Sequence, residues 1–242
     1  MNAAEILDQC IRELKDSGFV RICASDMQEL VGLSSMEEWS LFHDNWNSLG
    51  LDEYMADGGT YRRRSFAVFL VGPNFIWRRA HRPHYQDREH NPLNGGIARW
   101  FEPVDESLTN GELVNALLRT TRMIIDVDAH RLWYVEMHQF RIEARPDGPG
   151  LPTPEGLHRD GVDWVFMLAV ERSGITGGVS QIHAPDGREI SSFTLEDPFE
   201  AMVLDDHRVL HGVTPIHPRD SAVAGHRDIL VVTFKQTTDW NP

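Results

Sequence analysis

Only two cysteines, Cys10 and Cys23, occur in the 242 residues of this chain. That is too few for a disulfide framework, and both are expected to be reduced, buried, small hydrophobes. Positive charge is also scarce: 23 Lys and Arg face 37 Asp and Glu, a formal net charge of −14. A surface of that sign repels phosphates and anionic lipid, so neither nucleic acid nor membrane is an expected partner. No apolar run approaches the ~20 residues of a membrane span. The opening Met1-Asn2-Ala3-Ala4-Glu5 lacks the basic and apolar stretches of a signal peptide, and a cytoplasmic location is expected. HExxH, CxxC, GxSxG and a Gly-Lys-Ser/Thr phosphate loop are absent, which removes the chemistries those motifs carry. There is no internal repeat, low-complexity tract or flexible linker, so residues 1–242 are read as one domain.

What the chain has is order along its length. Residues 3–16 place Ile6, Leu7, Cys10, Ile11 and Leu14 at helical spacing, with Gly18 as a stop. Phe19 to Cys23 reads as a short strand, and Ser34 with Glu37 predicts a capping box opening a helix to about Trp46. Asp57-Gly58-Gly59 is a turn before a long strand from Tyr61 to Val71. The polar stretch 78–96 reads as a loop, with His81, His84 and His90 as a solvated patch. Residues 97–101 look like a strand. Thr109 with Glu112 predicts a second capping box, ahead of a helix with Leu113, Leu117, Ile124 and Ile125 on one face. Beyond about residue 130, the runs 132–143, 162–171, 177–182, 200–205, 207–213 and 229–237 are strand-like, with Gly177-Gly178 as a hairpin turn. Helices first and serial short strands afterwards predict an α+β fold. It would be a jelly-roll or cupin-like barrel, core about 131–237, with supporting N-terminal and mid-chain helices in a helix-rich region over residues 1–130.

The most informative residues are His158-Arg159-Asp160 and the distant His211. Two histidines and a carboxylate can hold one face of an octahedral metal and leave the other open, which suits ferrous iron that must also take an organic ligand and dioxygen. His158 and Asp160 are two apart, so on extended chain they leave the same side. His158 follows the Pro/Gly-rich loop 146–156, at a barrel mouth, and Gly212 leaves room beside the metal. His207 competes for the third position because it shares strand parity with His211; Asp163 competes with Asp160.

Iron with open positions needs a co-substrate that supplies electrons. A 2-oxo acid chelates through its carboxylate and keto oxygens, and its far carboxylate then needs a buried cation, for which Arg is suited. Arg227 fits because it opens the apolar strand Ile229 to Phe234; the alternative is an exposed ion pair with Asp228. Thr214 and Thr233 are candidate supporting hydroxyls. Arg141 and Gln139 share parity on the 132–143 strand and could bind the co-substrate or the substrate's carboxylate, unless they face outward. Tyr61, Arg62 and Arg64 invite the same reading, with Arg63 pointing the other way. Phe140, Trp164 or Phe166 could wall an aliphatic substrate or simply pack the core.

Several blocks agree, in order, with one family. They are Gly58-Gly59-Thr60-Tyr61-Arg62-Arg63-Arg64, Gln139-Phe140-Arg141-Ile142, the run from Pro154 to Asp163, Gly177-Gly178, the run from Leu204 to Ile216, and that from Arg227 to Phe234. Over roughly residues 55–237 the chain resembles bacterial 2-oxoglutarate/Fe(II)-dependent dioxygenases that include the isoleucine 4-hydroxylase-like amino-acid hydroxylases. The resemblance implies a double-stranded β-helix, iron on His158, Asp160 and His211, and 2-oxoglutarate on Arg227. Many related oxygenases carry Ser or Thr two residues beyond that Arg; here Ile229 stands there, which leaves the second anchor open. The implied reaction consumes 2-oxoglutarate and dioxygen, releases succinate and carbon dioxide, and hydroxylates an unactivated C–H of a free, aliphatic L-amino acid. Desaturation, cyclisation, a larger or carrier-tethered substrate, and a non-catalytic cupin-type metal or small-acid binder are the rival readings. A small-molecule amino acid is the expected partner, with a homodimer as the assembly to test.

Overall fold

The computed structural model describes residues 1–33, 35–89, 93, 95–126 and 130–239. In chain order it contains α1 (Ala3–Ser17), β1 (Phe19–Ile22), α2 (Ala24–Val31), α3 (Met36–Asp44), β2 (Gly50–Leu51), β3 (Arg62–Val71), β4 (Ile76–Arg78), β5 (Glu102–Pro103), α4 (Glu106–Thr109) and α5 (Glu112–Ile125). There follow β6 (Leu132–Ala144), β7 (Trp164–Ser173), β8 (Ile175–Gly177), β9 (Ser180–His183), β10 (Glu189–Phe193), β11 (Ala201–Asp205), β12 (Leu210–Val213), β13 (Ile216–Pro218) and β14 (Gly225–Thr237).

A large sheet runs β1-β11-β7-β14-β6-β3-β2, with β4 and β5 added at β3. Against it lie the smaller sheets β10-β9-β12 and β13-β8. This is an α+β double-stranded β-helix. The division at residue 130 does not survive as a structural boundary: β1, β2 and β3 from the first half complete the large sheet. Strands buried on both faces explain why. Ile6, Leu14, Phe42 and Leu117 of the helices pack on one face of the large sheet, against Phe69, Val135, Leu168 and Val232. On the other face Val165, Met167 and Ile229 meet Ile182 of the small sheet, and Ile142 meets Ile175 and Ile216. At about 25 cal/mol per Å² of apolar area removed from water, this double burial stabilises the sheet far more than any one hydrogen bond.

Local signals set the element ends, with several shifts from expectation. Asn2 and Glu5 form a capping box for α1, and Gly18, at φ 83°, closes it by donating to the Leu14 carbonyl. The cap of α3 is Ser35, bonded to the Glu38 amide, one residue later than the expected Ser34, which lies outside the described residues. Thr109 does not cap α5, which begins after Gly111; its hydroxyl accepts from Arg78 instead. The expected strand 97–101 is reduced to an isolated bridge at Arg99, paired with His84. Both cysteines are free, but only Cys10 is buried; Cys23 is exposed ahead of α2, a helix with no sequence expectation. Gly177 and Gly178, both with positive φ, make a corner between strands of different small sheets rather than a hairpin. A side chain on Gly177 would meet the Pro215 carbonyl oxygen at 2.2 Å.

Candidate metal centre and cavity

The inner face of the large sheet and the small sheets enclose a cavity of about 400 Å³, within the usual range of small-molecule sites. His158, Asp160 and His211 line one wall. His158 and His211 are locked in register by their backbones: the His158 amide donates to the His211 carbonyl at 2.9 Å and the reverse bond is 3.0 Å. Thr153 ties the preceding loop to Val213, its hydroxyl accepting from the amide at 2.9 Å and donating to the carbonyl at 3.1 Å. Gly212 leaves room, but for backbone: a Cβ there would meet the Gly156 carbonyl oxygen at 3.1 Å. The space expected beside a metal thus seats the loop that delivers His158.

The three side chains converge. His158 Nε2 is 3.7 Å from Asp160 Oδ1, and His211 Nε2 is 3.4 Å from Asp160 Oδ2. All three donor atoms lie within 4.8 Å of one another. Neighbouring ligands of one octahedral ion sit about 3 Å apart at ordinary bond lengths, so small side-chain shifts suffice. The tautomers also suit. His158 Nδ1 donates to the Gly156 carbonyl at 3.0 Å, which leaves Nε2 for an ion. His211 Nδ1 is buried without a hydrogen-bond partner among the described residues, 3.9 Å from Asp206 Oδ1, the placement of a carboxylate that steadies a ligating imidazole.

Asp206 was not anticipated. Its side chain is buried and accepts from the amides of Asp160, Gly161 and Val162 at 3.0, 2.8 and 3.2 Å. It thereby fixes the backbone that presents Asp160. Gln86 donates to the Asp160 carbonyl at 3.1 Å and its carboxylate at 3.4 Å. The two rivals for ligand roles occupy each other: His207 Nε2 lies 2.8 Å from Asp163 Oδ1, and His207 is 70% exposed.

Charges within the cluster shift its titration. Burial disfavours a proton on His158, but the bond to Asp160, its charge and that of Glu155 outweigh this and raise the pKa to about 9. Burial would also raise Asp160, yet the two imidazoles hold it well below the carboxylate range. Burial and the charge of Asp160 push Asp206 up.

Arg227 lines the cavity away from these ligands, only 3% exposed, and its Nη2 has no hydrogen-bond partner among the described residues. Burial first, and the neighbouring Arg172 charge second, depress its pKa to about 10. Asp228 does not neutralise it. That carboxylate sits on the opposite face of β14 and takes Arg141 through two bonds of 2.8 and 2.6 Å. A β-bulge interrupts the β14–β7 pairing between Asp228 and Ile229, at the residues that aim Arg227 inward. A buried cation that lines the cavity and has no hydrogen-bonded carboxylate among the described residues fits a ligand carboxylate.

Strand parity sorts the remaining candidates. Arg62, Arg64 and Phe140 line the cavity. Arg63 faces away and pairs with Glu143 at 2.8 Å. Arg141 and Gln139 face away as well: Arg141 is held by Asp228 and Asn47, Gln139 by Ser65 and Asn45. Trp164 and Phe166 pack under the helices, whereas Met167, the residue after Phe166, faces the cavity. Tyr61 packs with Ile142 outside the cavity and donates to Asp57 at 2.6 Å. The Thr214 hydroxyl is used by the Val179 amide at 2.9 Å and stands outside the cavity, whereas Thr233 lines it. His84 is not solvated surface. It is buried and lines the cavity with Glu136 and His138. His90 of the same expected patch lies outside the described residues. Sequence parity alone could not tell which set of β6 faced inward, since both faces of that strand are buried.

The family model of the 2OG-Fe dioxygenases matches residues 43–233. L-isoleucine-4-hydroxylase of Bacillus thuringiensis is 27% identical over 239 residues, 94% of this chain and 95% of that protein. 3(1)-hydroxy-L-isoleucine 4-dioxygenase of Pantoea ananatis is 29% identical over 165 residues, 65% of each chain. The crystal structure of a bsmA homolog from Methylobium petroleophilum PM1 superposes with a TM-score of 0.84 at 33% identity, over 97% of this chain and 93% of that one.

Proposed function

This chain belongs to the 2OG-Fe dioxygenase family, whose members use ferrous iron, 2-oxoglutarate and dioxygen, and from that premise we propose that it hydroxylates an unactivated C–H of a free aliphatic L-amino acid, releasing succinate and carbon dioxide. The observation that carries the reading is the buried Arg227, its Nη2 without a partner among the described residues, in a cavity whose wall holds His158, Asp160 and His211. The amino-acid class is supported by the two curated relatives, named for isoleucine and a hydroxyisoleucine. One sheet drawing strands from both halves of the sequence supports a single dioxygenase domain over residues 1–242.

In this reading His158, Asp160 and His211 would hold the iron and Arg227 would take the far carboxylate of 2-oxoglutarate. The bound iron supplies the redox chemistry of dioxygen and 2-oxo acid that no side chain provides. The chain's own contribution is placement. Asp206 and Gln86 fix the Asp160 segment, and Arg227 sets the co-substrate's axis. Phe140, Ile229 and Val231 line the middle of the cavity with apolar surface that excludes water and suits an aliphatic side chain.

The test is a panel of L-amino acids with ferrous iron, 2-oxoglutarate and air, read by succinate and product mass. Stoichiometric succinate with one added oxygen is expected. Loss of two hydrogens would make the enzyme a desaturase or cyclase, and no substrate-stimulated succinate with any amino acid would remove the substrate class.

Two further outcomes follow from the site. Asp206→Ala is expected to weaken metal binding by roughly 10–100-fold, as loss of an outer partner does. Metal titration followed by calorimetry checks this; unchanged affinity would reduce Asp206 to a loop brace. Second, a His158 pKa of about 9 means the metal-free protein carries a proton there at neutral pH. Metal must displace it, so affinity should climb about tenfold per pH unit up to that pKa and then level. Calorimetry in two buffers of different ionisation enthalpy should find about one proton released per ion at pH 7; none released would contradict the assignment.

A further inference from the structure

The cavity has a second polar end that iron and 2-oxoglutarate leave unused. His84, Glu136 and His138 bring three donor atoms within 4.8 Å of one another there. On β6, Ile142 lies opposite Arg227, while Glu136 lies opposite Thr233. Six residues along one strand separate the two ends by roughly 20 Å. Apolar Phe140, Ile229 and Val231 fill the interval.

The hydrogen bonds argue against a second metal centre. Arg64 Nη2 lies 2.7 Å from His138 Nδ1, and a guanidinium can only donate, so Nδ1 accepts and the ring proton sits on Nε2. That Nε2 is the atom turned to Glu136, 3.9 Å from Oε2. It offers an N–H, and a metal would need a lone pair. His84 Nδ1 is 3.0 Å from the same Oε2, which as a carboxylate oxygen must accept. Burial lowers the pKa of both rings, and the Arg64 charge presses further on His138. Two neutral imidazoles therefore point N–H groups at one carboxylate.

Stacking holds the arrangement. His138 lies 4.9 Å from the Phe66 ring and 5.6 Å from Phe140, and His84 crosses His138 edge-on at 4.9 Å. The His84 backbone is pinned to Arg99 by a pair of 2.9 Å bonds. Glu136 nevertheless keeps 13% of its side chain exposed on the cavity wall. Beside it Arg64 and Arg99 are almost wholly buried, each with an Nε lacking a partner among the described residues. One fixed carboxylate next to guanidinium groups matches a ligand with an ammonium and a carboxylate on one carbon.

We propose that Glu136, held by His84 and His138, binds the α-ammonium group of the substrate, with the Arg64 and Arg99 side of the wall turned to its carboxylate. This rests on the free amino-acid reading above and names the residue that enforces it. A purely structural Glu136, balancing nearby arginines, would not distinguish an amine from its absence.

The experiment is calorimetric binding to enzyme loaded with manganese, which does not turn over, and 2-oxoglutarate. The probes are L-isoleucine and L-leucine, each against its des-amino acid, 3-methylpentanoate or 4-methylpentanoate. The wild type should prefer the amino acids. In Glu136→Gln their affinity should fall by roughly 30-fold or more, as when one partner of a buried charge pair is truncated, with des-amino affinity held and the preference collapsing. Glu136→Asp should restore part of it, and 2-oxoglutarate affinity should stay unchanged in both variants. Retained preference in Glu136→Gln, or equal weakening of both probe classes, would overturn the proposal while leaving amino-acid hydroxylation standing. Wild-type enzyme that neither binds nor oxidises any amino acid of the panel would overturn both.

Discussion

His211→Ala is expected to abolish iron-dependent turnover while the protein still folds. The imidazole is 2% exposed and its Nε2 faces Asp160 across 3.4 Å. Its loss takes a ligand away directly, so the effect should exceed the roughly 10–100-fold cost of losing an outer-shell partner. Folding should survive because the ladder between His158 and His211 is made by backbone atoms, which alanine keeps. Metal content after loading, succinate formation and a thermal melt separate these effects. His207→Ala is the matched control and should behave as wild type, since that side chain is mostly exposed and engaged with Asp163. Retained turnover in His211→Ala would move the metal to another set, with His84, Glu136 and His138 the first to test.

Arg227→Met should raise the 2-oxoglutarate requirement steeply and stabilise the ligand-free protein. The guanidinium is buried, close to Arg172, and among the described residues has no acidic partner on its face of β14. Without ligand it is an uncompensated buried charge, which a well-packed apolar side chain improves on by on the order of 1–4 kcal/mol. With ligand it is half of a buried charge pair whose truncation costs about 2–5 kcal/mol, or roughly 30-fold and upward in affinity. The two effects have opposite sign, and together they distinguish a ligand-binding arginine from a structural one. Arg141→Ala should show the reverse pattern. It strands the buried Asp228 carboxylate and costs stability, yet leaves the 2-oxoglutarate requirement unchanged. A KM series and melts with and without 2-oxoglutarate check all four expectations.

How much of this was readable in the sequence depended on where side chains gain their meaning. The jelly-roll barrel was legible because turns and strand-like runs follow one another from residue 132 onward, and the family resemblance implied its double-stranded β-helix form. His158, Asp160 and His211 stood out because ligand types recur at a short spacing and then at a strand end, and the structure brings them together. Arg62 and Arg64 were separable from Arg63 by parity. On β6 parity failed, because Met137 packs under helices and His138 faces the cavity: both faces are buried and neither pattern is polar. The odd set, Gln139 and Arg141, therefore looked as able to face inward as the even set that does. His84 was misread for a different reason. Its loop is polar in sequence, but the bridge to Arg99 and the bond to Glu136 draw it into the wall, a contact across 52 residues that no local signal announces. Asp206 lies in the turn after β11, and its task, holding three amides of the ligand segment, is likewise long-range.

The most direct measurement is a crystal structure grown anaerobically with ferrous iron and 2-oxoglutarate. The account predicts one ion bonded to His158 Nε2, an Asp160 oxygen and His211 Nε2, with the far carboxylate of 2-oxoglutarate on Arg227. Iron seated on His84, Glu136 and His138, or 2-oxoglutarate turned away from Arg227, would contradict it.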